Sequence, residues 1–193
     1  MQKRLLLDGC SFTYGLNLHR NQTLEQHFIE SGYEVVNLSR PGKSNSAISI
    51  DLYNNIDSCD LLVVGWTFSS RWYLKYQGFD IDLSASREHV ELPHTLDSRL
   101  IEQSYQELHQ SFYSLFDITY WNQQSNMLID NTAALAAQQG KQAVFFSWEP
   151  RKVKCNMHYP HVISSHRLPC GHLTADGTTN LYNTLTHLIE QNE

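Results

Sequence analysis

The stretch Arg4-Leu5-Leu6-Leu7-Asp8-Gly9-Cys10-Ser11-Phe12-Thr13-Tyr14-Gly15 decides the fold. A short apolar run that stops at Gly-x-Ser and passes into a glycine-punctuated loop reads as a strand delivering a serine to its C-terminal tip. Open α/β sheets keep their active crevices along that edge. The run itself predicts a strand over about residues 3–8. Similar runs predict strands over about 34–38, 60–65 and 142–147, of which Leu61-Leu62-Val63-Val64-Gly65 is the cleanest. Continuous apolar runs suit parallel strands, both faces of which meet helices.

Helical patterns fill the gaps. Thr23-Leu24-Glu25-Gln26 fits a capping box and Gly32 a helix stop. Ile48, Leu52 and Ile56 share one helical face, and Ile101, Tyr105, Leu108, Phe112 and Leu115 form another stripe. A further helix runs to Gln139 and stops at Gly140. Leu181, Leu185 and Leu188 mark a C-terminal helix with Thr174 as its N-cap. Strands alternating with helices imply one α/β domain over residues 1–193, built on a mainly parallel sheet. Residues 66–98 have no clear period and read as an insertion, aromatic at its start. Trp66, Phe68 and Trp72 are its candidate substrate-binding residues, since aromatic faces pack against flat sugar or aryl surfaces.

Composition narrows the function. The chain has 193 residues, 41% hydrophobic and 18% charged, which is ordinary for a globular domain. Its formal charge is -6, and its basic run, Arg151-Lys152-Val153-Lys154, is short, so nucleic acid is not an expected partner. Nothing approaches the roughly 18 apolar residues of a membrane span. Cys10, Cys59, Cys155 and Cys170 lack close pairing, which predicts free thiols and a cytoplasmic setting. Pro41-Gly42-Lys43-Ser44 fails the spacing of a phosphate loop, because Asn37 stands where the first glycine is needed. Cys155, His158, His161, His166, Cys170 and His172 lack a structural-zinc spacing, so no metal is expected.

A serine hydroxyl is a weak nucleophile and needs a base beside it. His172, in Gly171-His172-Leu173-Thr174-Ala175-Asp176-Gly177, precedes the last helix and is the candidate. Acyl transfer also needs donors for a developing oxyanion. The backbone N–H groups of Ser11 and Gly42 are candidates, with the Thr67 hydroxyl and the Asn45 amide as side-chain donors.

These blocks resemble, in order, those of the SGNH (GDSL-like) hydrolases. The family's Gly-Asp-Ser block is similar to Gly9-Cys10-Ser11, its second-block glycine to Gly42, its Gly-x-Asn block to Gly65-Trp66-Thr67, and its terminal block to His172–Gly177. The resemblance implies a flavodoxin-like three-layer α/β/α sandwich and serine-dependent hydrolysis of a small acyl ester on a sugar or lipid. It implies Ser11 as nucleophile, His172 as base and no cofactor. Three positions depart from the pattern. Cys10 stands for the first-block Asp, Thr67 for the Asn, and Pro169 for the Asp three residues before the histidine. Glu149, at the tip of the fourth strand, is the candidate replacement acid. The departures keep a second reading open, a catalytically inactive binding or interaction module on the same fold.

Overall fold

The computed structural model describes residues 2–76, 79–84, 106–113, 117–160 and 166–191. Its frame is a five-stranded parallel sheet of β1 (Arg4–Gly9), β2 (Glu34–Asn37), β3 (Leu61–Trp66), β6 (Gln142–Ser147) and β7 (Met157–His158), in the order β2-β1-β3-β6-β7. The first four lie within a residue or so of the predicted runs. The fifth is two residues long and too short to leave a periodic signal. Two further strands among the described residues, β4 (Arg71–Tyr76) and β5 (Phe79–Ser84), pair antiparallel as a separate hairpin inside the expected insertion. Residues 77–78 and 85–98 of that insertion lie outside the described residues.

Alternation along the strands sorts side chains between two cores, as period-two geometry requires. Leu5, Leu7, Leu61, Val63, Val144 and Phe146 face α2 (Leu24–Glu30) and α6 (Ala175–Gln191). Leu6, Leu62, Val64, Trp66 and Phe145 face α3 (Asn45–Asn55) and α5 (Ile118–Gln138). Each fully buried aliphatic side chain contributes about 1.5–3 kcal/mol, so both layers are held mainly by apolar burial. The other α-helices among the described residues are α1 (Ser11–Tyr14) and α4, helical over 106–113. Ile101, Tyr105 and Leu115 of the stripe expected there lie outside the described residues.

The caps follow the sequence. Thr23 Oγ1 accepts the Gln26 N–H at 3.3 Å, and Thr174 Oγ1 the Gly177 N–H at 3.1 Å. Gly32 and Gly140 take left-handed φ values of 90° and 64°. Among the described residues, no helix is long and apolar enough to cross a membrane. The strand order reverses direction at the β1/β3 boundary, the switch point where such sheets open a crevice. Ser11 follows β1, and Thr67 follows β3.

Candidate active site

Ser11 opens α1 directly beyond the tip of β1, and the tight approach there depends on glycine. A Cβ on Gly9 would stand 2.1 Å from Thr13 Oγ1, and one on Gly65, its partner in β3, 2.3 Å from the same oxygen. Bare backbone at both positions lets Thr13 tuck between the strand ends, which sets the pitch of α1 and the place of Ser11. The Ser11 and Gly42 N–H groups donate to no partner among the described residues.

His172 reaches the serine from the far end of the chain. Its Nε2 lies 3.0 Å from Ser11 Oγ, although 161 residues separate the two. Its Nδ1 lies 3.3 Å from Cys170 Sγ. Phe12 packs against the imidazole with ring centres 5.1 Å apart, and against Trp148 at 4.8 Å. The Arg167 guanidinium caps both aromatics, 5.8 Å from the Phe12 ring centre and 5.9 Å from that of Trp148.

Beneath the Gly42 loop lies a charge cluster. Lys43 Nζ contacts Asp8 Oδ1 at 2.5 Å, Asp51 Oδ2 at 2.5 Å and the Leu38 carbonyl at 2.9 Å. The side chains of Lys43 and Asp8 are completely buried. Asp8 Oδ1 also accepts the Gly9 N–H at 2.7 Å, while Oδ2 has no hydrogen-bond partner among the described residues. Burial pushes the Asp8 carboxyl up to about 6, outweighing the pull of Lys43. The cluster ties the strand before Ser11 to the loop carrying Gly42, and sequence reading missed it. Its signals were a charged residue interrupting an apolar strand and a lysine directly after the loop glycine.

Other candidates sit elsewhere. Trp66 is fully buried in the core beside Phe145, so it offers no surface to a substrate. Its strand register points it at α3 and α5. Trp72 packs on Trp121 of α5 with ring centres 4.1 Å apart. Phe68 meets Phe12 edge to face at 6.4 Å and thus borders the site. Both Asn45 amide protons are committed, to the Thr67 carbonyl at 3.0 Å and to Ser125 Oγ at 3.3 Å, and its oxygen accepts the Thr67 N–H at 2.8 Å. Asn45 therefore clamps the end of β3. Thr67 is itself fully buried, with its hydroxyl accepting Arg71 Nη1 at 2.8 Å. Glu149 Oε1 is engaged by the Ser69 N–H at 2.9 Å and by Arg151 Nη2 at 2.6 Å. That carboxylate braces the β3 and β6 tips.

No protein-family model and no curated protein matches the sequence. Solved structures do match. The psychrotrophic esterase EstA from Pseudoalteromonas sp., solved with monoethylphosphonate as inhibitor, superposes with a TM-score of 0.55 at 6% identity, over 98% of this chain and 100% of that one. This is the SGNH-hydrolase fold. A GDSL-like lipase from Bacteroides thetaiotaomicron aligns with a TM-score of 0.42 at 14% identity, over 98% of this chain and 88% of its own. A catalytic mutant of Axe2, an acetylxylan esterase from Geobacillus stearothermophilus, aligns with a TM-score of 0.39 at 12% identity, over 97% and 94%. On the SGNH frame, Ser11, Gly42 and Thr67 follow three adjacent strands, and His172 approaches from the loop that enters α6.

Proposed function

We propose that this protein is a divergent SGNH hydrolase that cleaves a small acyl ester, carried on a sugar or lipid, with Ser11 as nucleophile and His172 as base. The observation that carries this reading is the 3.0 Å contact between Ser11 Oγ and His172 Nε2. That distance lies within hydrogen-bond reach, so the imidazole can take the hydroxyl proton as the bond to the acyl carbon forms. The carbonyl electron pair moves onto oxygen, where the Ser11 and Gly42 N–H groups serve as donors. The imidazolium then gives its proton to the leaving alcohol. Water repeats the sequence on the acyl-enzyme and frees the acid.

Ser11 exposes only 3% of its surface and is flanked by the Phe12 ring, which favours a small acyl group. The Pseudoalteromonas neighbour, an esterase, supports ester hydrolysis on this fold. All four cysteines are free, which suits a reducing, cytoplasmic setting. One observation favours the inactive binding module: Pro169 occupies the place of the family's acid.

A fluorophosphonate probe and p-nitrophenyl acetate separate the two readings. The wild-type protein is expected to label and to turn over. Ser11→Ala removes labelling and lowers kcat on the order of 10⁵–10⁶-fold, the scale seen when a serine nucleophile is deleted. No labelling of the wild type assigns the crevice to binding alone, and labelling that persists in Ser11→Ala shows that another side chain attacks the probe and overturns Ser11 as the nucleophile.

A further inference from the structure

We infer that Cys170 is the third member of the relay: its sulfur accepts the Nδ1–H of His172 and holds the imidazole in the tautomer that leaves Nε2 open to Ser11. The inference rests on the hydrolase reading above and names the group that orients its base. It begins with the turn that carries both side chains. Leu168 N–H donates to the His172 carbonyl at 2.7 Å and Gly171 N–H to the Leu168 carbonyl at 2.8 Å, while Arg167 and Leu173 form an antiparallel bridge. Gly171 sits between Cys170 and His172 at φ 84°, a left-handed conformation that glycine adopts without strain. The reversal brings residues two apart face to face, with Sγ 3.3 Å from Nδ1.

A second contact comes from a remote segment. Asn17 Nδ2 lies 3.5 Å from the same sulfur across 153 residues. Asn17 is the sole non-glycine residue of positive φ, at 69°, among those described. An amide NH₂ group only donates, so Sγ is the acceptor there. A sulfur that receives Asn17 on one lone pair has its other lone pair for Nδ1–H. The reverse arrangement, S–H donating to Nδ1, would place the ring proton on Nε2 and leave nothing to deprotonate Ser11. Arg167, on the opposite arm of the same turn, donates from Nη1 to the Gly171 carbonyl at 2.8 Å.

No proton passes to sulfur during the reaction. The Ser11 proton moves to Nε2, Nδ1–H stays on Sγ, and the imidazolium is stabilised by the sulfur as an aspartate would stabilise it in a serine protease triad. A thiolate does this better than a thiol. A carboxylate in the sulfur's place would accept the same Nδ1–H with a full negative charge.

Steady-state kinetics on three variants test the assignment. Cys170→Ala is expected to lower kcat about 10²–10⁴-fold with KM unchanged. Cys170→Asp, which puts an anionic acceptor in the same place, is expected to restore wild-type kcat or exceed it, and Cys170→Ser to fall between Cys170→Ala and Cys170→Asp. Unchanged kcat in Cys170→Ala overturns the assignment, even where Ser11→Ala confirms the hydrolase. Imidazole ¹⁵N spectra give a readout that needs no turnover. A His172 Nδ1–H resonance that shifts in Cys170→Ala supports the contact, and a ring held as the Nε2–H tautomer in both proteins overturns it.

Discussion

The two flanks of Ser11 are built from opposite materials. On the Gly42 flank, Lys43 and Asp8 are wholly buried and joined at 2.5 Å beneath the loop. On the His172 flank, an exposed turn holds the base through a sulfur contact, backbone bonds and an Arg167 cap over two aromatic rings. A buried charge pair is costly to break, because the partner left behind has no water to turn to. Surface contacts of the second kind are worth on the order of 1 kcal/mol each. The geometry of the oxyanion side is thus locked into the fold, while the base side can be retuned without unfolding the protein. Substitutions on one flank should register first as stability and on the other first as rate.

Lys43→Met breaks this contrast most severely. It strands Asp8 in the core, and urea unfolding should show a loss of about 3–5 kcal/mol. The double variant Lys43→Met/Asp8→Leu should recover most of it; a loss as large as in the single variant would mean that the lysine acts through packing rather than charge.

A matched pair of glycine substitutions comes next. At Gly65 an added Cβ would meet Thr13 Oγ1 at 2.3 Å and Phe146 Cζ at 2.6 Å, an overpacking worth about 1–3 kcal/mol. At Gly171 the space is open within 4 Å, and only the left-handed backbone at φ 84° resists, at about 1–2 kcal/mol. Gly65→Ala should therefore lower the melting temperature more and also lower kcat by shifting Ser11, whereas Gly171→Ala should lower kcat by more for each kcal/mol of stability it loses. Equal rate losses per kcal/mol would erase the distinction between the flanks.

The smallest effect is a slope. Because burial raises the folded-state pKa of Asp8 to about 6, from an ordinary 3.8, the folded protein holds this proton more tightly than the unfolded chain. The stability that the group contributes is fully present at acid pH and is lost as pH rises from about 4 to about 6. The wild-type minus Asp8→Asn difference in unfolding free energy, measured by urea titration at several pH values, should fall across that window. A difference that rises would place the carboxylate's ionised form as the favoured one, and a level difference would mean that folding does not shift the group at all.

Much of this architecture was legible before any coordinates. The runs from Arg4, Glu34, Leu61 and Gln142 become the four long strands of the parallel sheet, because a strand buried on both faces needs unbroken apolar sequence. The caps at Thr23 and Thr174 and the stops at Gly32 and Gly140 were equally local. The hairpin of β4 and β5 is not legible in the same way, because residues 66–98 show no clear period. The alternation of Arg71–Tyr76 and the Gln77-Gly78 pair between the strands were the available cues. At the site, the strand tips that carry Ser11 and Thr67 could be read in advance. The engagement of Asn45 by Thr67, of Glu149 by Arg151 and of Cys170 by His172 could not, because each depends on where a side chain points after packing.

Periodicity, capping and glycine placement act over a few residues, so they dictate the four long strands, most of the helices, the parallel arrangement and the loops that carry serine, glycine and histidine to one edge. Tertiary structure alone decided which atoms meet there. Hydrogen bonding discriminates over tenths of an ångström. The 3.0 Å between residues 11 and 172, the sulfur facing Nδ1, and the burial of Trp66 away from the crevice all follow from how two helical layers seat against the sheet.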